Sequence, residues 1–203
     1  MSLSASTPAS TTIQCGKVLP KLASGLWLGA ALLLGLTQAA HAQVDTTKST
    51  ISAISKQMNV PVTGTFKKFS AEVQFDPAKP AAGHAQFSVA VGSYDLGAED
   101  YNEQVRGADW FDAAHFPSAT FASTAIAPAG AGTYSVSGKL TIKGKSMDVV
   151  VPVTFKQQGT TQTFDGVLPV KRLQFGIGQG DWKDTSVVAD QIQIKFHIVN
   201  NVK

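Results

Sequence analysis

The chain has 203 residues, with 17 Lys and Arg against 14 Asp and Glu, a net charge of +3, and 43% hydrophobic residues. This length and composition describe one globular domain of ordinary size. The near-balance of charge excludes a basic stripe for nucleic acid or a polybasic patch for an anionic membrane surface. The only cysteine, Cys15, lies close to the N-terminus, so no disulfide framework is expected.

The first feature along the chain is a targeting signal. Lys17 and Lys21 precede the apolar run of residues 22–36 (LASGLWLGAALLLGL), and Ala40-His41-Ala42 follows. A positive start, a short apolar core and an A-x-A site together predict a secretory signal peptide, cleaved after Ala42. The run of 15 residues is shorter than the roughly 20 needed to span a bilayer. Cleavage leaves a domain of residues 43–203, with 15 basic and 14 acidic residues and no cysteine. The high isoelectric point of the whole chain therefore says little about the partners of the secreted form.

Strands are predicted next. Residues 70–76 (SAEVQFD) place Ala71, Val73 and Phe75 on one face, and residues 84–91 (HAQFSVAV) do the same with Ala85, Phe87, Val89 and Val91. Residues 118–126, 133–142, 146–155 and 187–199 continue the pattern. A period of two means a half-buried strand. Turn chemistry at Asp76-Pro77-Ala78-Lys79-Pro80, at residues 128–132 (PAGAG) and at Lys143-Gly144-Lys145 makes neighbouring strands antiparallel. Many short strands so spaced predict a sandwich or a barrel. Gly138 and Gly166 interrupt strand patterns and are expected at bends or bulges. Pro152, inside VVVPVTF, is expected at a bulge rather than at a sheet edge.

Residues 93–116 break the ladder. Residues 97–107 (GAEDYNEQVRG) predict a short helix, with Glu99 and Asp100 near its start, Arg106 in its last turn and Gly107 as its C-terminal glycine. Trp110 and Phe111 then stand between Asp109 and Asp112, with His115 three residues on. Such carboxylates and an imidazole could serve as general acid and base. Capping and turn duty accounts for the same spacing, and no nucleophile with an orienting partner is present. His84, His115 and His197 have no paired ligand spacing, so no metal site is expected. The glycines of residues 176–180 (GIGQG) lack the helix and spacing of a dinucleotide loop and read as a flexible connection.

Several words in order carry a resemblance. They are residues 64–69 (GTFKKF), 73–77 (VQFDP), 106–112 (RGADWFD), 116–123 (FPSATFAS), 138–144 (GKLTIKG) and 172–178 (RLQFGIG). Together they resemble the YceI-like family of secreted lipid-binding proteins, over nearly the whole of residues 43–203. The resemblance implies an all-β fold, an eight-stranded antiparallel lipocalin-like barrel with a short helical segment near 97–107. It implies a periplasmic, non-enzymatic carrier or scavenger of a polyisoprenoid or similar long-chain amphiphile. On that reading the tail lies against Phe87, Val89, Phe121, Leu140, Val149, Ile194 and Phe196, with Trp110, Phe111 and Phe116 as a lid at the mouth. No cofactor is implied beyond a bound isoprenoid lipid or quinone. The implied partners are a long-chain isoprenoid or acyl lipid and a transient contact with a membrane or a membrane b-type cytochrome; the oligomeric state stays open, with a dimer among the options. Two other readings stand beside the carrier. One is a lipid-acting hydrolase or isomerase using Asp109, Asp112 or His115, and the other is an interaction domain that partners such a cytochrome. The sequence departs from many members at residues 99–104, which are acidic here where a basic His- and Arg-containing word is common.

Overall fold

Alternating strands with one apolar face must bury that face, and in the computed structural model, which describes residues 43–202, they do so by curling into a barrel. The predicted signal and its cleavage site lie outside the described residues. The elements are β1 (Gln43–Val44), β2 (Thr50–Gln57), β3 (Val60–Phe66), β4 (Phe69–Gln74), β5 (His84–Ala90), β6 (Tyr94–Asp95), α1 (Glu99–Arg106), β7 (Ser118–Gly130), β8 (Thr133–Ile142), β9 (Lys145–Gln158), β10 (Thr161–Lys171) and β11 (Gln191–Asn201). All pairings are antiparallel, and the sheet order is β4-β5-β7-β8-β9-β10-β11-β2-β3-β6, with β1 added beside β11.

The eleven strand pieces make eight traverses of a lipocalin-like barrel. β3 and β4 are two halves of one traverse, kinked at Lys67–Lys68, and β5 and β6 are two halves of the next. The kink closes the ring: β3 pairs with β2 on one side of it, and β4 pairs with β5 on the other. The strands given no bounds from the sequence are β2 and β3, which form a hairpin, and β10, where only Gly166 is read inside a strand pattern. The hairpin turns on Met58 and Asn59, both with positive φ (47° and 66°), as a two-residue turn requires.

The apolar faces meet inside. Ile51, Val73, Leu140, Val151, Leu168 and Ile198 are among the buried residues of a single cluster, each contributing about 1.5–3 kcal/mol by leaving water. One end carries the connection after β4 and the β7–β8 and β9–β10 turns. There Phe75 packs edge-on against Tyr134 and Phe155, with ring centroids 4.8 and 5.0 Å away. Gln162 and Asn200, both buried, stitch this end by donating to the Phe75 and Val73 carbonyls at 3.1 and 3.3 Å. The other end carries the β8–β9 turn and the long connections of residues 96–117 and 172–190.

Several local expectations change. Pro152 sits at an edge rather than a bulge. The β8–β9 register runs unbroken from Thr133↔Thr154 to Ile142↔Lys145, while the β9–β10 ladder stops at Val153. The missing N–H of Pro152 thus falls where β9 has no partner on that side. The bulge is instead in β7, where the register shifts between Ser123, opposite Gly138, and Ala125. Gly166 marks the point where β10 parts from β9, and it leaves room for the ring of Phe196, which a Cβ there would meet at 2.3 Å. Helix α1 forms as predicted, but Gly107 ends it in an extended conformation (φ −67°, ψ 170°) rather than a left-handed one.

Candidate functional site

The barrel encloses a cavity of about 160 Å³, and no polar atom faces it. Every long strand contributes to its wall, from Ile51 and Ala53 on β2 to Ile192, Ile194 and Phe196 on β11. This follows from the alternation: each strand sends its even or odd set inward, and those sets are almost purely hydrocarbon. Of the predicted lining residues, Phe87, Val89, Phe111, Phe121, Leu140, Ile194 and Phe196 border the cavity. Trp110, Phe116 and Val149 do not border it. Trp110 turns away to Trp182, 5.6 Å between ring centroids, and to the Arg172 guanidinium 6.0 Å from its ring. Phe116 packs beneath Gly144 in the β8–β9 turn, and Val149 packs against the core. Phe66, Phe75, Val73 and Tyr134 also line the cavity. Their places in the alternating pattern were the available signal for three of them; Phe66 lies on β3, which the pattern did not reveal.

Phe111 closes the cavity at the connection end. Its ring meets Phe66 and Tyr94 edge-on at 6.1 and 5.6 Å. Tyr94 is buried and its hydroxyl donates to the Ala53 carbonyl at 3.3 Å. Burial pushes its pKa up to about 12, partly opposed by the Gly64 backbone. On the outer side of Tyr94 lies an open depression between α1 and the Lys67–Lys68 kink. Ion pairs cross it: Lys67 with Asp95 at 3.4 Å, and Arg106 with Glu99 at 2.7 Å. The Asp95 carboxyl is held below the usual range by the Gly97 N–H first, then by Asn102 and Lys67. Part of the acidic character of residues 99–104 is thereby neutralised within the helix itself.

Two connections cover the Phe111 end, and buried polar chemistry holds them. Arg172 is 1% exposed and donates all five of its guanidinium hydrogens to backbone carbonyls: Ala189, Ile177, Gly178, Trp182 and Val188, at 2.7–3.1 Å. Burial lowers its pKa, and the negative charge of Asp190 works against that. The glycines of residues 176–180, expected to be a flexible connection, are instead wrapped around this cation. Gly178 has φ +70°, and a Cβ on it would strike the guanidinium at 2.2 Å, so only glycine fits. This connection is tied to the residues before Phe111 by a bond from the Gln179 N–H to the Asp109 carbonyl at 2.8 Å.

The candidate acid–base group has a structural place. His115 Nδ1 lies 2.8 Å from Asp112, but the His115 side chain is 76% exposed and none of Asp109, Asp112 and His115 borders the cavity. The Asp112 carbonyl accepts from the N–H groups of His115 and Phe116, which is turn duty. Among the described residues the three histidines sit apart, each beside a different carboxylate: Glu72, Asp112 and Asp165. Among the described residues no three His, Cys, Asp or Glu side chains gather as metal ligands.

Comparison with known proteins places this geometry. Residues 43–200 match the family model of the YceI-like domain. A UPF0312 protein of Vibrio cholerae is 28% identical over 181 residues, 82% of this chain and 96% of its own length. One from Azotobacter vinelandii is 31% identical over 120 residues, 56% of this chain and 62% of its own. The crystal structure of BcnA from Burkholderia cenocepacia is 64% identical with a TM-score of 0.76, covering 77% of this chain and 99% of that one. A polyisoprenoid binding domain from Saccharophagus degradans superposes with a TM-score of 0.67 at 18% identity, covering 81% of this chain and all of that one. At that identity the likeness is one of fold.

Proposed function

Because this chain belongs to the YceI-like domain family, we propose that it is a non-catalytic carrier or scavenger holding the tail of a polyisoprenoid or similar long-chain amphiphile inside its barrel. The observation that carries this reading is the cavity wall, apolar on every side. A wall without donors or acceptors selects for hydrocarbon, because a polar group placed there would lose its hydrogen bonds. The fold likeness to a polyisoprenoid binding domain supports the same reading.

Size limits how the tail binds. A cavity of about 150 Å³ is enough for a benzene-sized guest, and this one is about 160 Å³. It takes part of a long chain as it stands. The rest needs the rings of Phe87, Phe121 and Phe196, which border the space, to swing aside. Each methylene buried contributes about 0.8 kcal/mol, so affinity grows with the length admitted and not with a fitted end.

The site of action we propose is the periplasm, from the signal pattern ending at Ala42; an intact mass beginning at Gln43 after export would support it. The hydrolase and isomerase reading draws nothing from the geometry, since its three residues stand outside the cavity. A transient contact with a membrane or a membrane cytochrome stays compatible with a carrier that must load and unload.

The test is to purify the secreted domain from its own host and identify what co-purifies by mass spectrometry, alongside titration with isoprenoid and acyl probes. A bound long-chain lipid and saturable probe binding are expected. Ala85→Phe, which pushes a ring into the cavity from β5, should weaken probe binding about tenfold or more while leaving the far-ultraviolet spectrum unchanged. Recovery of no lipid together with no saturable binding would sink the reading.

A further inference from the structure

Lys143 and Gly144 form the two-residue turn between β8 and β9, and both have positive φ, 48° and 71°. Glycine suits its place. The first position of such a turn favours Asn, Asp or Gly, and a lysine there holds a left-handed backbone that its Cβ opposes. A strained residue that persists is held there by something other than its own preference. The side chain supplies the reason. The Lys143 ammonium donates to the Ala108 carbonyl at 2.6 Å and to the Gly176 carbonyl at 3.1 Å. Neither acceptor belongs to the hairpin, and among the described residues no carboxylate pairs with this lysine.

The two acceptors lie where the ends of the lid meet. Ala108 is three residues before Phe111, whose ring closes the cavity. Gly176 lies in the segment wrapped around Arg172. Phe116 lies beneath the turn itself, against Gly144. One ammonium therefore ties the Phe111 connection, the Arg172 connection and the β8–β9 hairpin into a single cover.

We propose that Lys143 is a positioning residue of the apolar site: it latches the segment carrying Phe111 onto residues 176–179 and so sets how fast the cavity exchanges its occupant. This rests on the reading of the cavity as the tail site. Lys143 is not among the residues that line the cavity, so the latch acts on entry and exit together and leaves equilibrium affinity nearly unchanged. Removing it frees Phe111 to move while replacing none of the residues that line the cavity.

The experiment uses the whole secreted domain with Lys143→Asn, Lys143→Arg and Lys145→Gln. Asn suits a left-handed turn better than Lys, so the hairpin is kept while both bonds are lost. Hydrogen exchange of the ligand-free protein is read at residues 108–112 and 176–179, and a fluorescent polyene fatty acid reports association and dissociation by stopped flow. Lys143→Asn should speed exchange in both segments about tenfold, the loss expected for charge-assisted bonds. It should raise both probe rates by about the same factor, with the dissociation constant within about twofold. Lys143→Arg should restore the slow rates, and Lys145→Gln, which removes a neighbouring charge, should behave as the parent. Unchanged protection in Lys143→Asn overturns the latch, as does a weakened affinity with unchanged association rate. If the parent binds no probe, the tail-site reading fails, and hydrogen exchange alone still decides whether Lys143 holds the cover.

Discussion

The two ends of the barrel are closed by different physics. At the turn end, the rings of Phe75, Tyr134, Phe155 and Phe164 pack with centroids 4.8–6.0 Å apart, and two buried neutral amides, Gln162 and Asn200, bridge to the backbone carbonyls of Phe75 and Val73. At the connection end, two cations hold the irregular backbone: Arg172 through five carbonyls and Lys143 through two. Ring packing sums many weak contacts, so no single one decides the closure. A cation that satisfies several carbonyls concentrates the closure in one side chain, because each carbonyl it abandons is left buried and unpaired. An end built the first way stays shut, and an end built the second way can open as a unit.

The largest effect should come from breaking the loaded cation. Arg172→Met leaves five carbonyls without donors and is expected to cost about 4 kcal/mol in urea unfolding. Hydrogen exchange should rise in residues 173–189 and stay low around Phe164. A uniform loss of protection at both ends would contradict the contrast. Arg172→Lys can rebuild at most three of the bonds and should recover only part of the stability.

Tyr94 sharpens the comparison through pH, since it belongs to the connection end and packs on Phe111. Its folded pKa of about 12 lies above the ordinary 10.0, so the folded protein keeps a proton that the unfolded chain has lost. Its contribution is complete below pH 10 and disappears as pH rises from 10 to 12, by about 3 kcal/mol. Tyr94→Phe should remove that part of the alkaline loss, read as the difference between the two urea midpoints across this range. Identical alkaline slopes in parent and variant would show that Tyr94 is not buried as described.

The smallest effect is expected at the turn end. Asn200 is fully buried and donates to Val73 and Gln162, but its own side-chain oxygen has no partner. Asn200→Ala gives up two bonds and also an unsatisfied acceptor, so it should cost no more than about 2 kcal/mol. It should leave probe exchange rates untouched. Faster ligand exchange in this variant would place a second opening at the end described here as shut.

What could be read in advance tracks how local each feature is. Phe87 and Val89 alternate with polar neighbours on β5, and Ile194 and Phe196 alternate with Gln193 and Lys195 on β11, so the inward face was visible. The pattern around Gly166 reads as a strand, but Gly166 and Pro169 interrupt it and leave β10 without predicted bounds, although its inward Phe164, Leu168 and Val170 are all buried. The resemblance implies a lid of Trp110 and Phe111, but adjacent residues on an irregular segment face different ways, and of the two only Phe111 reaches the cavity. Pro152 showed that something was unusual in β9. Whether a proline means a bulge or an edge depends on where the neighbouring strand leaves, and that neighbour is β10.

The amino-acid sequence by itself determined antiparallel strands with one apolar face each, as in a sandwich or a barrel, and a short helix in the break at residues 93–116; the barrel came from the resemblance to the YceI-like family. Period-two burial is a property of each strand's own backbone, and it survives any arrangement of the rest. Tertiary structure decided which end closes firmly and which end is latched. The Lys143 bonds reach across 35 and 33 residues, and the carbonyls they and Arg172 choose are backbone atoms that every residue carries. No side-chain pattern marks one carbonyl from another, so only the folded path of the chain selects them.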